Sequence, residues 1–464
     1  MYRDGKGVSK NYNEAVKYFG LSSEQGNAIA QFHLGMMYFS GDGISQNYEE
    51  AYKYFKLSSD QSNALAQFCL GVMYRDGLGV SQNYQEAFNY FKLSADQGNA
   101  FSQCNLASLY WGGKGVVQNL EEAAKYYKLS ADQGDADAQF YYGLFLENGI
   151  AVTQNSDTAF KYFKLSADQG NAEAQLWVGM MFRQGKGMWF ANYEEAMKYF
   201  KLSSEQGSSE AQYFVGVMYT NGEGVSVNYE EAMKYYKMSA EKNAYAQSAL
   251  GIIYYKGLVE TPNYEEAFKC FKQSAEQGVP EANLFLGLMY REGKVVEQNY
   301  EEAFLHFKSS AEKNNSDALF CLGEMYKDCL EYEEALKNFK ASADLGNEWG
   351  QFCLGIMYRD GLGVEKNIEE AKKYFKLVTG QNMFFRLNTF DYFIKKGEEG
   401  DSDALFCLGV MYRDGKGVEQ NKEKAKEYFK QSQNKGNDLA KEALYKLEHP
   451  VASFFNVLNP FKKK

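Results

Sequence analysis

The sequence predicts an all-α protein, a solenoid of about twelve antiparallel helix pairs. The main evidence for this prediction is a 36-residue segment, residues 64–99, that recurs in shifted copies through nearly all of the 464 residues. A fixed period of this size is typical of solenoids and repeat arrays. Each copy contains two stretches with the apolar spacing of a helix, joined by a glycine-rich turn. The chain also has only four prolines, which favours helices because proline breaks them.

The first helix of each copy is predicted from residues such as Ala30, Leu34, Met37 and Tyr38, which fall on one helical face. A glycine recurs inside this helix, although glycine there costs about 1 kcal/mol relative to alanine. We therefore expect a second helix to cross at this point too closely for a side chain. The position holds Gly35, Gly71, Ala107, Gly143, Gly179, Gly216, Gly251, Gly287, Gly323, Gly355 and Gly409.

The second helix begins at an asparagine, such as Asn47, that is followed three residues later by a glutamate, Glu50. This spacing predicts an N-cap with a capping-box partner. Glutamate and lysine four residues apart should form ion pairs on the exposed face. The pairs of this kind are Glu49 with Lys53, Glu121 with Lys125 and Glu230 with Lys234.

The copies divide the chain into four predicted parts. Residues 1–376 form the repeat array, whose first repeat is truncated because the chain begins in the middle of a copy. Residues 377–401 form an inserted helix, and residues 402–447 form the last repeat with a C-terminal capping helix. Residues 448–464 form a tail that we expect to be disordered. The inserted helix rests on the helical spacing of Met383, Leu387, Phe390 and Ile394.

Composition excludes several classes of function. The formal net charge of −11 is the wrong sign for a protein that binds a nucleic-acid backbone. No apolar stretch approaches the roughly 18 residues that a membrane span needs, and no signal peptide is visible. The seven cysteines show no regular pairing, so we expect free, partly buried thiols and a cytoplasmic protein.

No catalytic or metal site is indicated. His33, His306 and His449 lie far apart in the sequence and lack zinc-ligand spacing. The Gly-x-Gly turns do not follow strands and are not followed by Lys-Ser or Lys-Thr, so we interpret them as turns rather than phosphate loops. We therefore predict a protein that is not an enzyme and that has no cofactor and no metal.

The motifs A-x-A-Q, L-G, M-Y, G-x-G-V, N-Y-x-E-A, K-Y-F-K and S-A-x-Q-G-N resemble those of the Sel-1-like repeat (SLR) family, relatives of the tetratricopeptide repeats (TPR). The resemblance covers residues 1–447 in about twelve units. It implies a right-handed superhelix whose concave groove is lined mainly by the first helix of each unit. It also implies an adaptor or scaffold that binds another protein, as family members do in signalling and in ER-linked ubiquitin-ligase complexes.

One position varies widely between copies, the residue just before the Leu-Gly pair. In the middle copies it carries Tyr141, Trp177, Phe214 and Phe285, which could anchor a partner in the groove. The alternative is that these aromatic residues simply pack one repeat against the next. The sequence leaves both readings open.

Three further hypotheses remain at this stage, and one of them is direct binding of a ligand or glycan in the aromatic groove. The chain could be the regulatory repeat region of a larger enzyme, such as a protein kinase, whose catalytic domain lies outside it. Copies of the chain could also associate through the N-terminal edge, where the apolar face of the first complete helix should lack a partner.

Overall fold

The computed structural model describes residue 2 and residues 9–186, 190–380, 389–415 and 418–448. These residues form 25 helices, and no strand occurs among them. The predicted all-α solenoid class is thereby confirmed. Residues 449–464 of the predicted tail, and most of the truncated first repeat before residue 9, lie outside the described residues.

The helices are α1 Tyr12–Glu24, α2 Ala28–Ser40, α3 Tyr48–Ser59, α4 Ala64–Asp76, α5 Tyr84–Asp96, α6 Ala100–Gly112, α7 Leu120–Asp132, α8 Ala136–Asn148, α9 Ser156–Asp168, α10 Ala172–Gln184, α11 Tyr193–Glu205, α12 Ser209–Asn221, α13 Tyr229–Ser239, α14 Ala244–Lys256, α15 Tyr264–Glu276, α16 Pro280–Glu292, α17 Tyr300–Ala311, α18 Ser316–Asp328, α19 Tyr332–Asp344, α20 Glu348–Asp360, α21 Ile368–Gly380, α22 Thr389–Glu398, α23 Ser402–Asp414, α24 Lys422–Asn434 and α25 Asp438–Glu448. The helices form eleven antiparallel pairs. Ten of these pairs follow one another from α2/α3 to α20/α21, and the eleventh is α23/α24. The helices α1, α22 and α25 stand outside these pairs.

The chain forms two compact units, residues 1–243 and residues 244–464. The first unit contains α1 to α13 and the second contains α14 to α25. Within each unit, every second helix also packs against the first helix of the following pair. The hydrophobic core therefore continues from one pair to the next, as a repeat array requires.

The recurring glycine is the contact point of ten of the eleven pairs, and the pair α6/α7 has Ala107 at this position. A Cβ added at Gly71 of α4 would lie 2.5 Å from Cδ1 of Phe91 on α5, and Phe91 is fully buried. The predicted close crossing is thus confirmed. An aromatic ring of the second helix meets the glycine in the same way at Gly35, Gly71, Gly143, Gly179, Gly216, Gly251, Gly287, Gly323, Gly355 and Gly409.

Two hydrogen bonds that the sequence pattern does not reveal also hold the pairs. The hydroxyl of Ser94 on α5 donates to the carbonyl of Ala64, the first residue of α4, at 2.6 Å. Just after α5, the amide of Gln97 donates to Oε1 of Gln67 at 2.7 Å. These bonds join the end of a second helix to the start of its first helix, so the two helices are antiparallel. They satisfy buried polar groups, which would otherwise lower stability.

The N-terminus of each second helix differs in part from the prediction. The Asn47 side chain accepts hydrogen bonds from the backbone N–H groups of Glu49 and Glu50, so the N-cap is confirmed. The other half of the predicted capping box is wrong, because the Asn47 N–H donates to the Tyr38 carbonyl of the preceding helix at 2.8 Å. The asparagine therefore connects two helices as well as starting one.

The predicted i,i+4 ion pairs are also wrong in their partners. Lys53 contacts Glu50, three residues earlier, with its Nζ 2.6 Å from Oε1. Lys125 contacts Glu122 in the same manner at 3.0 Å. Each lysine pairs with the glutamate three residues earlier. The carboxylate of that glutamate is available because it makes no capping-box hydrogen bond. Exposed pairs of this kind contribute about 0–1 kcal/mol.

Helix α22 lies in the region of the predicted insertion. It packs against α23, and its fully buried Phe393 places its ring 5.1 Å from that of Phe352. Phe390 makes an edge contact with Tyr412 at 5.7 Å. Met383 and Leu387 lie outside the described residues, so the boundaries of the insertion stay a prediction.

We expect Gly71→Ala to destabilise the protein. The new methyl group would overlap the Phe91 ring, and overpacking of a buried site costs about 1–3 kcal/mol, of which the better helix propensity of alanine returns up to about 1 kcal/mol. The midpoint of urea unfolding, followed by circular dichroism, measures the loss. The matched control is Gly20→Ala on α1, because a Cβ there meets nothing within 4 Å. A G71A variant as stable as G20A would contradict the close-crossing explanation.

Candidate interaction surface

The first helices of the first unit share a side that does not pack against their second helices. We call this side, on α2, α4, α6, α8, α10 and α12, the first-helix face. On α4, for example, Ala66, Leu70 and Met73 are buried, whereas Leu65 is exposed and Cys69 is half-buried. Each position of this face is repeated on the next first helix, so side chains form rows that cross successive pairs.

Three of the four predicted aromatic residues lie in one row of this face. Tyr141 is on α8, Trp177 on α10 and Phe214 on α12, and all three are half-buried. Phe285 is on α16 and belongs to the second unit. The predicted set is therefore divided between the two units.

Each of the four rings stacks on a buried ring of the preceding second helix. The centroid distances are 5.2 Å for Tyr141 on Tyr127, 5.5 Å for Trp177 on Phe163, 5.1 Å for Phe214 on Phe200 and 4.9 Å for Phe285 on Phe271. Phe163, Phe200 and Phe271 are also the rings that contact the recurring glycine. Tyr127 occupies the equivalent position in its own pair, where Ala107 replaces the glycine. One face of each predicted residue thus packs successive pairs together, and the rest of the side chain is partly open to solvent.

Acidic side chains accompany this aromatic row one helical turn earlier. Asp137, Glu173 and Glu210 are exposed and precede the three aromatic residues by four positions each, so acid and ring lie on the same side of their helix. Burial raises the pKa of Tyr141, and the nearby negative charges of Glu173 and Asp137 add to the effect. Sequence reasoning missed these acids, although the i,i+4 spacing from the aromatic row could have revealed them.

A further row contains charged groups that hold one another in place. Arg183 of α10 makes two hydrogen bonds to the Glu223 carboxylate, at 2.6 and 3.1 Å, and its guanidinium lies 5.7 Å from the centre of the Phe214 ring. The hydrogen bonds from Arg183, together with its charge, hold the pKa of Glu223 below its usual value. This arrangement fixes Arg183 over the aromatic row and leaves little of its charge available.

Glu147 occupies the equivalent position on α8 and is only 7% exposed. Lys186 donates to its Oε1 at 3.2 Å, but its Oε2 is buried and has no hydrogen-bond partner among the described residues. A buried carboxylate oxygen without a partner is unfavourable. Glu147 lies in the last turn of α8, ten residues after Asp137 of the first turn.

The first half of the face has a different character. At the position that carries acids on α8, α10 and α12, the preceding first helices carry Ile29, Leu65 and Phe101, which are 63%, 46% and 58% exposed. These three side chains give this end of the face an apolar surface. The face is thus apolar over α2, α4 and α6 and acidic over α8, α10 and α12.

The remaining candidates show no arrangement for chemistry. None of the seven cysteines forms a disulfide, as predicted. His306 stacks on Tyr290 and its Nδ1 lies 3.0 Å from Oδ1 of Asn283, so it is a packing residue. In the described ranges, no group of three or more His, Cys, Asp and Glu side chains could hold a metal ion. No described helix is long and apolar enough to cross a membrane.

The thiols differ in their expected reactivity. Burial raises the pKa of Cys69 and of Cys321 to about 12, and only Cys329 is exposed. Since the thiolate is the reactive form, we expect one thiol to react with Ellman's reagent at pH 8 at least about tenfold faster than the other six. The measurement is the absorbance time course. Loss of the fast phase in Cys329→Ser is the control, and a fast phase that survives in this variant would contradict the assignment.

Comparison with known proteins agrees with this architecture. The Sel1 repeat profile matches twelve segments, residues 1–27, 28–63, 64–99, 100–135, 136–171, 172–208, 209–243, 244–279, 280–315, 319–347, 350–377 and 402–437. No curated protein matches the sequence.

Two examples illustrate the similarity of the chain to solved structures. One is a protective antigen present in uropathogenic Escherichia coli strains and displaying an SLR fold, with 28% identity, a TM-score of 0.70 and coverage of 94% of this chain and 91% of that chain. The other is a Sel1 repeat protein from Oxalobacter formigenes, with 29% identity, a TM-score of 0.47 and coverage of 53% of this chain and 96% of that chain.

Proposed function

Because the chain belongs to the Sel1 repeat family, whose solenoids generally serve as non-catalytic protein-interaction scaffolds, we propose that it binds a partner protein on the first-helix face. The observation that carries this proposal is the row of half-exposed rings, Tyr141, Trp177 and Phe214, on three successive first helices. Aromatic residues that are held rigidly and partly desolvated are favoured anchors in protein interfaces. Phe285 is the corresponding proposed anchor of the second unit.

Stacking supports the role of these rings as anchors. Trp177 rests on the buried Phe163 at 5.5 Å, so its rotamer is already restricted before a partner arrives. A partner that covers the outer part of this ring would gain apolar contact at a small cost in side-chain entropy. Packing and binding are then two uses of the same side chain.

The cellular setting belongs to the proposal as well. We infer an adaptor role in the cytoplasm, in signalling or in ubiquitin-linked ER quality-control complexes. The support for these settings is the resemblance to family members that work there. Identification of the captured partner tests each of them directly.

The double variant W177A/F214A tests the proposed face. We expect the purified full chain carrying it to capture its partner from lysate of the cells that express it at least about tenfold less well, since two anchors together are worth more than 1.4 kcal/mol. Quantitative mass spectrometry of the captured proteins measures the change. Circular dichroism must show that helicity is kept.

The matched control is L165A/L202A, which removes two large apolar side chains from the second helices α9 and α11. Leu165 and Leu202 are 52% and 38% exposed and lie outside the first-helix face, so we expect capture to be unchanged. Equal loss in both double variants, or full capture by W177A/F214A, would contradict binding on this face.

A further inference from the structure

The charge of the first-helix face changes along the first unit. Helices α8, α10 and α12 carry four acidic residues against one basic residue, Arg183, which is a net charge of −3. Helices α2, α4 and α6 carry one acidic and one basic residue, Asp76 and Arg75, which is a net charge of zero. The two charged residues of α4 are also paired with each other at 2.7 Å.

The acidic part of the face is open to a ligand. Glu173 and Glu210 are exposed and each lies one turn before an aromatic residue, Trp177 or Phe214, on the same side of its helix. A carboxylate beside an aromatic ring suits a lysine or arginine side chain, which can pair with the acid while its cation lies over the ring. The same combination is repeated on α8, α10 and α12.

The basic residues that adjoin the acidic part of the face are paired with acids other than its exposed ones. The one basic residue on these three helices, Arg183, is already bound by Glu223 through two hydrogen bonds. Lys186, in the turn after α10, is likewise paired with Glu147 at 3.2 Å, so neither base pairs with the exposed acids of the face. The local field therefore favours an incoming cation.

The apolar part of the face specifies the rest of the ligand. Ile29, Leu65 and Phe101 are exposed at the position that carries the acids further along. A ligand that crosses from α2 to α12 would therefore meet apolar side chains first and acid–ring combinations afterwards.

We propose that the first-helix face of the first unit binds a partner segment in which lysine or arginine residues adjoin a stretch of apolar residues. The basic part lies across α8, α10 and α12, and the apolar part lies across α2, α4 and α6. This inference rests on the proposed function and adds the chemistry of the partner to it.

A random-peptide display library panned against the full chain tests the proposal. Each peptide is long enough to extend across the six first helices of the face. We expect the enriched peptides to contain lysine or arginine next to apolar residues. An enriched peptide, labelled and measured by fluorescence anisotropy, should bind E173K/E210K about tenfold or more weakly than the wild-type chain, since two attractions become repulsions. Binding to the wild-type chain should also weaken with added salt.

The matched control is E194K/E230K. Glu194 and Glu230 are exposed and occupy the second position of α11 and α13, as Glu173 and Glu210 do in α10 and α12. The control therefore makes the same change in net charge and in the helix N-terminal turn. We expect its affinity for the basic peptide to stay within twofold of the wild-type value.

Each other outcome has a definite meaning. Enriched peptides that are acidic or neutral, and that still lose affinity in W177A/F214A, would overturn the basic-partner inference and leave the proposed function standing. Equal loss in E173K/E210K and E194K/E230K would overturn it as a general charge effect. A library with no enriched peptide would count against peptide binding on this face and hence against both proposals.

Discussion

The structure depends on the seating of an aromatic ring of the second helix against a glycine of the first helix in ten of the eleven pairs. At Gly71 a Cβ would come within 2.5 Å of the Phe91 ring, so the helices of a pair approach more closely than any side chain would allow. The short distance brings the Ser94 hydroxyl to the carbonyl of Ala64 and the Gln97 amide to Gln67. One steric constraint thereby aligns the apolar contacts and the buried hydrogen bonds of the pair.

The same ring also connects successive pairs. Phe163 packs against Gly143 of its own pair with one face and stacks on Trp177 of the next pair. Phe200 occupies the corresponding place between Gly179 and Phe214. A pair therefore cannot complete its core alone, and the array is stabilised by nearest-neighbour contacts, as expected for repeat proteins.

The separation of packing residues from exposed residues explains why the sequence of the first-helix face can vary. The glycine, the ring and the serine are committed to packing, whereas residues such as Leu65 and Glu173 are exposed and differ from copy to copy. The face accordingly differs in character between its two ends, apolar at Phe101 and acidic at Glu210. Side chains at these exposed positions can change from copy to copy at little cost to the fold.

The sequence by itself determined the helices, their pairing, the close crossing at glycine and the asparagine N-caps, because these depend on local chemistry that recurs with a fixed period. Only the tertiary structure decided the partners of groups that have more than one candidate partner in the sequence. Lys53 takes Glu50 rather than Glu49, and the N–H of Asn47 reaches Tyr38 on another helix rather than Glu50. The candidate face is also a tertiary result, because rows of side chains from different pairs exist only after the pairs have packed together.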